Sequence, residues 1–108
     1  MNKDKIIKAS ETYTKIISNN ISVKSKYFSI YYEKSLESNK YGITIPKKIG
    51  KAHTRNKIKR QIKNIIVSNE NDIQKQFNYV IIIKEAILLL SYNDIEKELL
   101  NLFKKVSV

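Results

Sequence analysis

The chain has 108 residues, of which 42% are hydrophobic and 29% charged, and its formal net charge is +11 at pH 7. This length predicts a single domain over residues 1–108, in which the basic stretch 1–9 is expected to be flexible. With no cysteine and no apolar run of membrane-spanning length, the sequence excludes disulfides, cysteine-ligated metals and a transmembrane segment.

The large positive charge is the strongest indication of a partner. A net charge of this size on a small domain is typical of proteins that bind nucleic acid or an anionic surface. Nucleic acid is favoured over a membrane, because no exposed Trp, Phe or Leu flanks the most basic stretch. The N-terminus also lacks the long apolar centre of a signal peptide, and we therefore predict a cytoplasmic location.

The first third of the chain predicts a helix followed by a strand. Tyr13, Ile16 and Ile17 share one side of the helix. Residues 23–33 are rich in β-branched and aromatic side chains, and this composition predicts a strand with two different faces. One face is predicted to hold Phe28, Ile30 and Tyr32, and the other Tyr27, Ser29 and Tyr31.

The remainder predicts two more strands and two more helices. Residues 41–46 are expected to pair with the preceding strand as a hairpin, and residues 68–78 form a polar linker long enough to be mobile. Residues 79–84 are continuously apolar, which indicates a fully buried strand. A closing helix begins with Ser91 and Asp94 at capping-box spacing. The order of helix, strands, helix, strand and helix favours an α/β sandwich with one sheet.

Most of the chain's net positive charge lies in residues 46–67, which also predict a helix from Ala52. Between residues 38 and 69 there is no Asp or Glu. An apolar stripe with helical spacing is formed by Ile58, Ile62, Ile65 and Ile66. The opposite side presents a ridge formed by Asn56, Lys59, Arg60 and Lys63. Arg55 lies at the edge of the apolar arc, and the sequence leaves its direction open.

A basic ridge is most often a solvated helix face. Solvated faces usually mix charges of both signs, because interspersed Glu relieves the repulsion between lysines. This helix has no acid, which favours a polyanionic partner over the solvated face. The aromatic side chains of residues 27–32 also have two possible roles. They are either core residues or platforms on which bases stack.

The sequence offers little for protein-based catalysis. His53 is the only histidine, and a polar role at a helix terminus is favoured for it over metal binding. No two carboxylates are placed as a general acid and base, and no glycine-rich phosphate loop is present.

The segment 47–63, KKIGKAHTRNKIKRQIK, resembles the bacterial ribonuclease P protein component, in which a KK-x-G-x-A-x-x-RN-x-x-KR-x-x-R pattern recurs. The stretches SVKSKYFSIYY, YGITIPKK, YVIIIK and DIEKELLNLFKKV follow in that family's order and spacing. The resemblance implies an α+β or α/β two-layer sandwich with one mixed sheet of about four strands, three helices and a left-handed βαβ crossover, similar to a ribosomal-protein domain.

The resemblance also implies a function. The chain would be the auxiliary protein subunit of an RNA-catalysed endoribonuclease that removes the 5′ leader of precursor tRNA. Its partners would be the ribonuclease P RNA and the leader, with no obligate protein partner. Mg²⁺ would be held mainly by the RNA and none by the protein alone, and no catalytic or metal-binding residue is expected in the protein.

Two sets of residues match the family's functional positions. By resemblance, the RNA subunit would be bound by Lys47, Lys48, Arg55, Asn56, Lys59, Arg60 and Lys63. The leader would be bound by Tyr13, Ile17, Phe28 and Tyr31. The alternative function is a ribosomal RNA-binding protein on a similar α/β scaffold, and a third class is a small enzyme that acts alone.

Overall fold

A computed structural model describes residues 5–7 and 10–106 of the chain. The described part contains three α-helices, which are α1 (Ser10–Ser18), α2 (Ala52–Ser68) and α3 (Tyr92–Phe103). It also contains four strands, which are β1 (Ser22–Lys24), β2 (Phe28–Lys34), β3 (Lys40–Thr44) and β4 (Phe77–Ile83). None of the described helices is both long and apolar enough to cross a bilayer.

The four strands form one mixed sheet in the order β1-β2-β4-β3. β2 pairs with β4 antiparallel, and β3 pairs with β4 parallel. The predicted hairpin between β2 and β3 is therefore wrong, because β4 lies between them. The apolar sequence of β4 explains its place, since a strand that is apolar on both faces is best buried at the centre of a sheet. The mixed sheet with three helices confirms the predicted fold class.

The predicted strand at residues 23–33 is in fact two strands joined by a tight turn. The Oγ atom of Ser25 accepts hydrogen bonds from the backbone N–H groups of Tyr27 and Phe28, both at 3.2 Å. These bonds reverse the chain, so that β1 folds back antiparallel on β2. A serine that bonds to backbone two or three residues ahead is a common turn former.

α2 and α3 pack on one face of the sheet and form the main core with it. The predicted isoleucine stripe of α2 is buried in this core, and so are Phe28, Ile30 and Tyr32 of β2. The Oγ atom of Ser91 accepts a hydrogen bond from the backbone N–H of Asp94 (3.3 Å), which confirms the predicted cap of α3.

α1 covers part of the opposite face. Ile16 is fully buried there against Val80 of β4, together with Ile7 from the N-terminal segment. The backbone N–H of Ile7 donates to the carbonyl oxygen of Tyr41 (3.0 Å), which attaches residues 5–7 to β3. The predicted flexibility of residues 1–9 otherwise concerns positions outside the described residues.

Residues 68–78, which the sequence predicts to be a mobile linker, are tied to the core at several points. Ile73 is buried, and the carbonyl oxygen of Gln74 accepts hydrogen bonds from Asn39 Nδ2 (2.7 Å) and Tyr79 Oη (2.8 Å). The Oδ1 atom of Asn39 in turn accepts from the backbone N–H of Phe77 (2.9 Å). This segment therefore orders the entry into β4.

The buried stripe of α2 leads to a stability prediction. Ile62 is 0% exposed, so Ile62→Ala should lower the free energy of unfolding by roughly 2–5 kcal/mol through reduced burial and a residual cavity. Val67→Ala is the matched control, because Val67 lies on the same helix and is 52% exposed. Urea unfolding should place the control within about 0.5 kcal/mol of the unmodified chain. Equal losses for the two variants would contradict the assignment of the buried face.

Candidate nucleic-acid interface

The solvent side of α2 is a continuous basic ridge. Asn56, Lys59 and Arg60 are exposed and Lys63 is half-buried. Residues three or four positions apart on a helix lie about one turn apart on the same side, so these side chains follow one another along the axis. The buried isoleucines hold the other side of α2 against the sheet. The ridge consequently points away from the core, as the sequence predicts. We call these four residues the basic ridge.

The basic ridge has no counter-ion in the part of the chain that the structure describes. The ion pairs found there join Lys5 to Glu70, Lys15 to Glu33, and Lys40 to Glu37, and none involves α2. α2 itself contains no acid over its 17 residues. Its positive charges therefore repel one another with no acid of the described residues paired to them, which favours the binding of a polyanion.

Arg55 lies beside the basic ridge, on the flank that faces β3. Its Nε–H donates to the carbonyl oxygen of Gly50 (3.2 Å), which fixes the side chain of this half-buried residue against the start of the helix. It lines a groove of about 210 Å³ together with Ile43, Ile45, Asn56 and Lys59. The structure thus settles the direction of Arg55, which the sequence left open.

The connection from β3 to α2 extends the basic surface. Lys47 and Lys48 are exposed in a 3-10 turn that precedes α2. Gly50 follows this turn, and a Cβ atom there would lie 3.2 Å from the Cβ atom of Thr54. The close approach lets the turn fold tightly onto the first turn of α2. His53 is exposed in that first turn, where the sequence predicts a polar helix-terminal residue.

A second surface lies on the α1 side of the sheet. The strand registers place Lys24 beside Ser29, Ser29 beside Ile82, and Ile82 beside Thr44. These four residues form a row across all four strands, which we call the floor row. The next row contains Tyr31, Val80 and Gly42, and α1 packs over it. The floor row lies at the foot of α1, where Lys24 and Thr44 are exposed at its two ends, Ile82 is half-buried and Ser29 is buried.

Tyr13 of α1 forms the wall of this groove above β3. A Cβ atom on Gly42 would lie 2.3 Å from the Oη atom of Tyr13, so the ring rests directly on the glycine backbone. The hydroxyl also hydrogen-bonds to the side chain of Thr44, and burial raises the pKa of Tyr13 above its ordinary value. Tyr13 is accordingly fixed in place. Ile17, one turn further along the same side of α1, is 38% exposed.

Tyr31 provides a second aromatic side chain on the α1 side of the sheet. It is half-buried beside Ile16 and Val80, and the ammonium group of Lys24 lies 5.5 Å from its ring centroid. A cation at this distance over a tyrosine ring is within cation–π range. Tyr13 and Tyr31 thus border the floor row, and we call this region the groove. Ile17 follows Tyr13 on the same side of α1.

The chain matches the Ribonuclease P family model over residues 1–107. It is 36% identical over 108 residues to a ribonuclease P protein component from Mycoplasma mycoides, with 98% of this chain and 99% of the relative covered. A relative of the same name from Mesoplasma florum is 38% identical over 102 residues, and the match covers 92% of this chain and 92% of the relative. The chain belongs to the ribonuclease P protein component family.

Solved structures of ribonuclease P proteins have the same fold. The protein from Thermotoga maritima superposes with a TM-score of 0.87 at 27% identity, covering 94% of this chain and 97% of its own. A Staphylococcus aureus ribonuclease P protein mutant also gives 0.87 at 27% identity, covering 94% and 87%. The chain is therefore a protein subunit of the RNA-catalysed endoribonuclease ribonuclease P, and the alternative of a ribosomal RNA-binding protein is not favoured.

One predicted leader residue lies elsewhere. Phe28 is 0% exposed and packs in the main core, on the face of the sheet opposite to Tyr13 and Tyr31. Its inclusion in the same groove as Tyr31 is wrong, because positions 28 and 31 of one strand are an odd number of residues apart and face opposite ways. The alternation in the sequence already separates these two residues, and the family resemblance alone placed them together.

Sequence reasoning missed most of the groove floor. Ser29, Ile82, Thr44 and Lys24 come from four different strands, and their adjacency depends on a strand order that the sequence did not predict correctly. The alternation does assign Ser29 and Tyr31 to one face. No local pattern indicates that Lys24 and Thr44 lie at the two ends of one row.

The close contact between Gly42 and Tyr13 gives a second prediction. Gly42→Ala should lower the free energy of unfolding by roughly 1–3 kcal/mol, because the added methyl group forces the tyrosine ring to move. The same substitution in a Tyr13→Ala background should cost much less, since the obstructing ring is gone. A double-mutant cycle measured by urea unfolding checks this. Equal losses in both backgrounds would show that another neighbour opposes the methyl group.

Proposed function

We propose that this ribonuclease P protein assists 5′-end maturation of tRNA by binding the catalytic RNA through the basic ridge and the 5′ leader of precursor tRNA through the groove beside α1. The observation that supports this most is the acid-free ridge, held opposite a fully buried stripe of the same helix. A rigid helix presents its charges at fixed intervals, which suits the regular phosphates of a folded RNA.

The residues of the ridge differ in what they offer an RNA. Arg60 has a planar guanidinium that can hold one phosphate through two hydrogen bonds, whereas Lys59 and Lys63 act as point charges. Asn56 adds an amide that can both donate and accept. We assign Arg55 to the same interface, since its groove opens beside Asn56 and Lys59.

The start of α2 strengthens this surface. Lys47 and Lys48 lie just before the helix, whose first turn contains no acid and whose N-cap makes no side-chain hydrogen bond. The free N–H groups and the positive end of the helix dipole attract anions there. The interface that we propose for the catalytic RNA therefore runs from the turn before α2 along the basic ridge.

The groove beside α1 fits a single strand better than a duplex. Its border combines an accessible aromatic ring, Tyr31, with the apolar side chain of Ile17, and its floor holds hydroxyl and aliphatic groups. Stacking of a base on an aromatic side chain contributes roughly 1–3 kcal/mol and depends little on base identity. We propose that the 5′ leader lies along this groove, with Tyr13 as a fixed wall.

The proposal assigns the chemistry to RNA. Among the described residues, no group of three or more His, Cys, Asp or Glu side chains comes together as a metal site. Mg²⁺ prefers oxygen ligands and retains several waters, and phosphates supply such ligands readily. We therefore propose that Mg²⁺ is held mainly by the RNA subunit and that the protein positions the RNA. We also propose that the protein acts in the cytoplasm and needs no obligate protein partner.

Replacing single cations of the ridge tests the interface with the catalytic RNA. Arg60→Ala and Lys63→Ala should each weaken binding and reduce the slope of log affinity against log salt by about 0.7–0.9 for each phosphate that the protein no longer binds. Lys97→Ala on α3 is the matched control, because it removes one exposed lysine outside the ridge. Filter binding across a salt series measures affinity and slope together.

The unfolding midpoint of each variant serves as the check on folding. It should stay close to that of the unmodified chain, because these ridge residues lie outside the buried core. The proposed RNA surface is wrong if Lys97→Ala reduces the slope as much as Arg60→Ala does, or if neither ridge variant alters binding.

The leader groove is tested by removing its accessible ring. Tyr31→Ala in the reconstituted enzyme should weaken precursor tRNA binding by roughly 1–3 kcal/mol and leave mature tRNA binding unchanged, since only the precursor has a leader. Tyr31→Phe keeps the ring and should retain most of the affinity. If Tyr31→Ala lowered affinity for precursor and mature tRNA equally, Tyr31 would have a structural role.

A further inference from the structure

Lys24 occupies a particular place at the edge of the sheet. It is the last residue of β1, the strand at one end of the sheet order, and it is exposed. Its register with Ser29 puts it on the α1 side of the sheet, at the outer end of the floor row. Its ammonium group lies over the ring of Tyr31, 5.5 Å from the centroid.

We propose that Lys24 and Tyr31 form one subsite for single-stranded RNA, in which Tyr31 stacks a base and Lys24 binds the backbone phosphate next to it. This rests on the proposed leader function and adds to it a residue and an interaction of defined chemistry. Lys24 lies outside the segment 46–67 that holds most of the net charge.

The charge around Lys24 supports binding of a phosphate. No ion pair of Lys24 occurs in the described part of the chain. Lys84 adds a second cation at the same end of the sheet, where its Nζ donates to the carbonyl oxygen of Ser25 (2.6 Å). A carbonyl oxygen is neutral, and neither lysine forms an ion pair with another of the described residues. The edge of β1 is thus electropositive and lies beside an aromatic ring.

The contact between Lys24 and Tyr31 explains how one site can bind both a base and a phosphate. A cation–π contact at an exposed position is weak, whereas a phosphate offers a full opposite charge. In the free protein the ring holds the ammonium over the groove. When RNA binds, Lys24 turns to the phosphate and leaves the ring open for a base. Tyr31 therefore acts as a positioning residue for Lys24 as well as a stacking platform.

The floor row gives the strand a path between two cationic ends. Adjacent strands are about 4.8 Å apart, so the row from Lys24 to Thr44 spans about 14 Å. Thr44 is the last residue of β3, and the chain continues from it into the turn with Lys47 and Lys48. A single strand that crosses the sheet along the floor row consequently meets positive charge at both ends and a largely uncharged floor between them.

The experiment compares two neighbouring lysines in the reconstituted enzyme. Lys24→Ala should reduce the affinity for precursor tRNA roughly two- to fivefold, the range for an exposed ion pair, and lower the salt slope by about 0.7, the value for one phosphate of a single strand. Mature tRNA binding should not change. Lys26→Ala removes the same charge two residues away, and it should leave precursor affinity within twofold because Lys26 lies beyond the end of β1.

A second pair of variants separates positioning from plain electrostatics. Lys24→Arg keeps the charge and should restore precursor affinity and slope. In a Tyr31→Leu background, Lys24→Ala should have a smaller effect than in the unmodified chain, because the ring that positions Lys24 is absent. Thermal unfolding should be the same for Lys24→Ala and the unmodified chain.

The outcomes distinguish this inference from the leader proposal. If Tyr31→Ala weakens precursor binding selectively but Lys24→Ala matches Lys26→Ala, the phosphate subsite is wrong and the leader groove stands. If neither Tyr31→Ala nor Lys24→Ala discriminates precursor from mature tRNA, the leader groove itself is wrong. Full additivity of Lys24→Ala and Tyr31→Leu would overturn the coupling between the two residues.

Discussion

The packing of the α2 isoleucines against the sheet is the interaction on which the functional surface depends. Ile62 and Ile65 are fully buried, so the helix cannot rotate without exposing them. This fixes the direction of every other side chain on α2. The Lys and Arg side chains of α2 repel one another because the helix contains no acid. The packing of the helix against the core has to outweigh this repulsion. In the function that we propose, stability and RNA binding are therefore properties of the same 17 residues, divided between two sides of one helix.

The central strand β4 contributes to both faces of the sheet. One of its faces completes the main core under α2 and α3, and the other receives α1. α1 is nine residues long and packs over the row that contains Val80, and in the floor row beside it Lys24 and Thr44 are exposed whereas Ser29 is buried. Gly42 lets the ring of Tyr13 approach the backbone of β3.

How well the sequence predicts this molecule depends on the range of the interactions involved. The α2 stripe, the basic ridge and the Ser91 cap were predictable because each depends on spacing within one helix. The strand order was not predictable. The polar connection between β2 and β3 suggests a hairpin, and no local sequence feature shows that β4 lies between these two strands. The error over Phe28 has another origin, because alternation separates Phe28 from Tyr31 but does not show which face of the strand is buried. Family resemblance identified the function correctly but not the face of every residue.

Lysine accessibility in the presence of the RNA subunit tests the two-sided helix most directly. The chain would be treated with an amine-reactive reagent, free and bound to the catalytic RNA, and the modification of each lysine measured by mass spectrometry. We expect strong protection at Lys59 and Lys63, with Lys97 and Lys105 on the α3 side modified equally in both states. Protection of Lys97 and Lys105 with continued modification of Lys59 and Lys63 would contradict the account, because the RNA would then bind the other side of the protein.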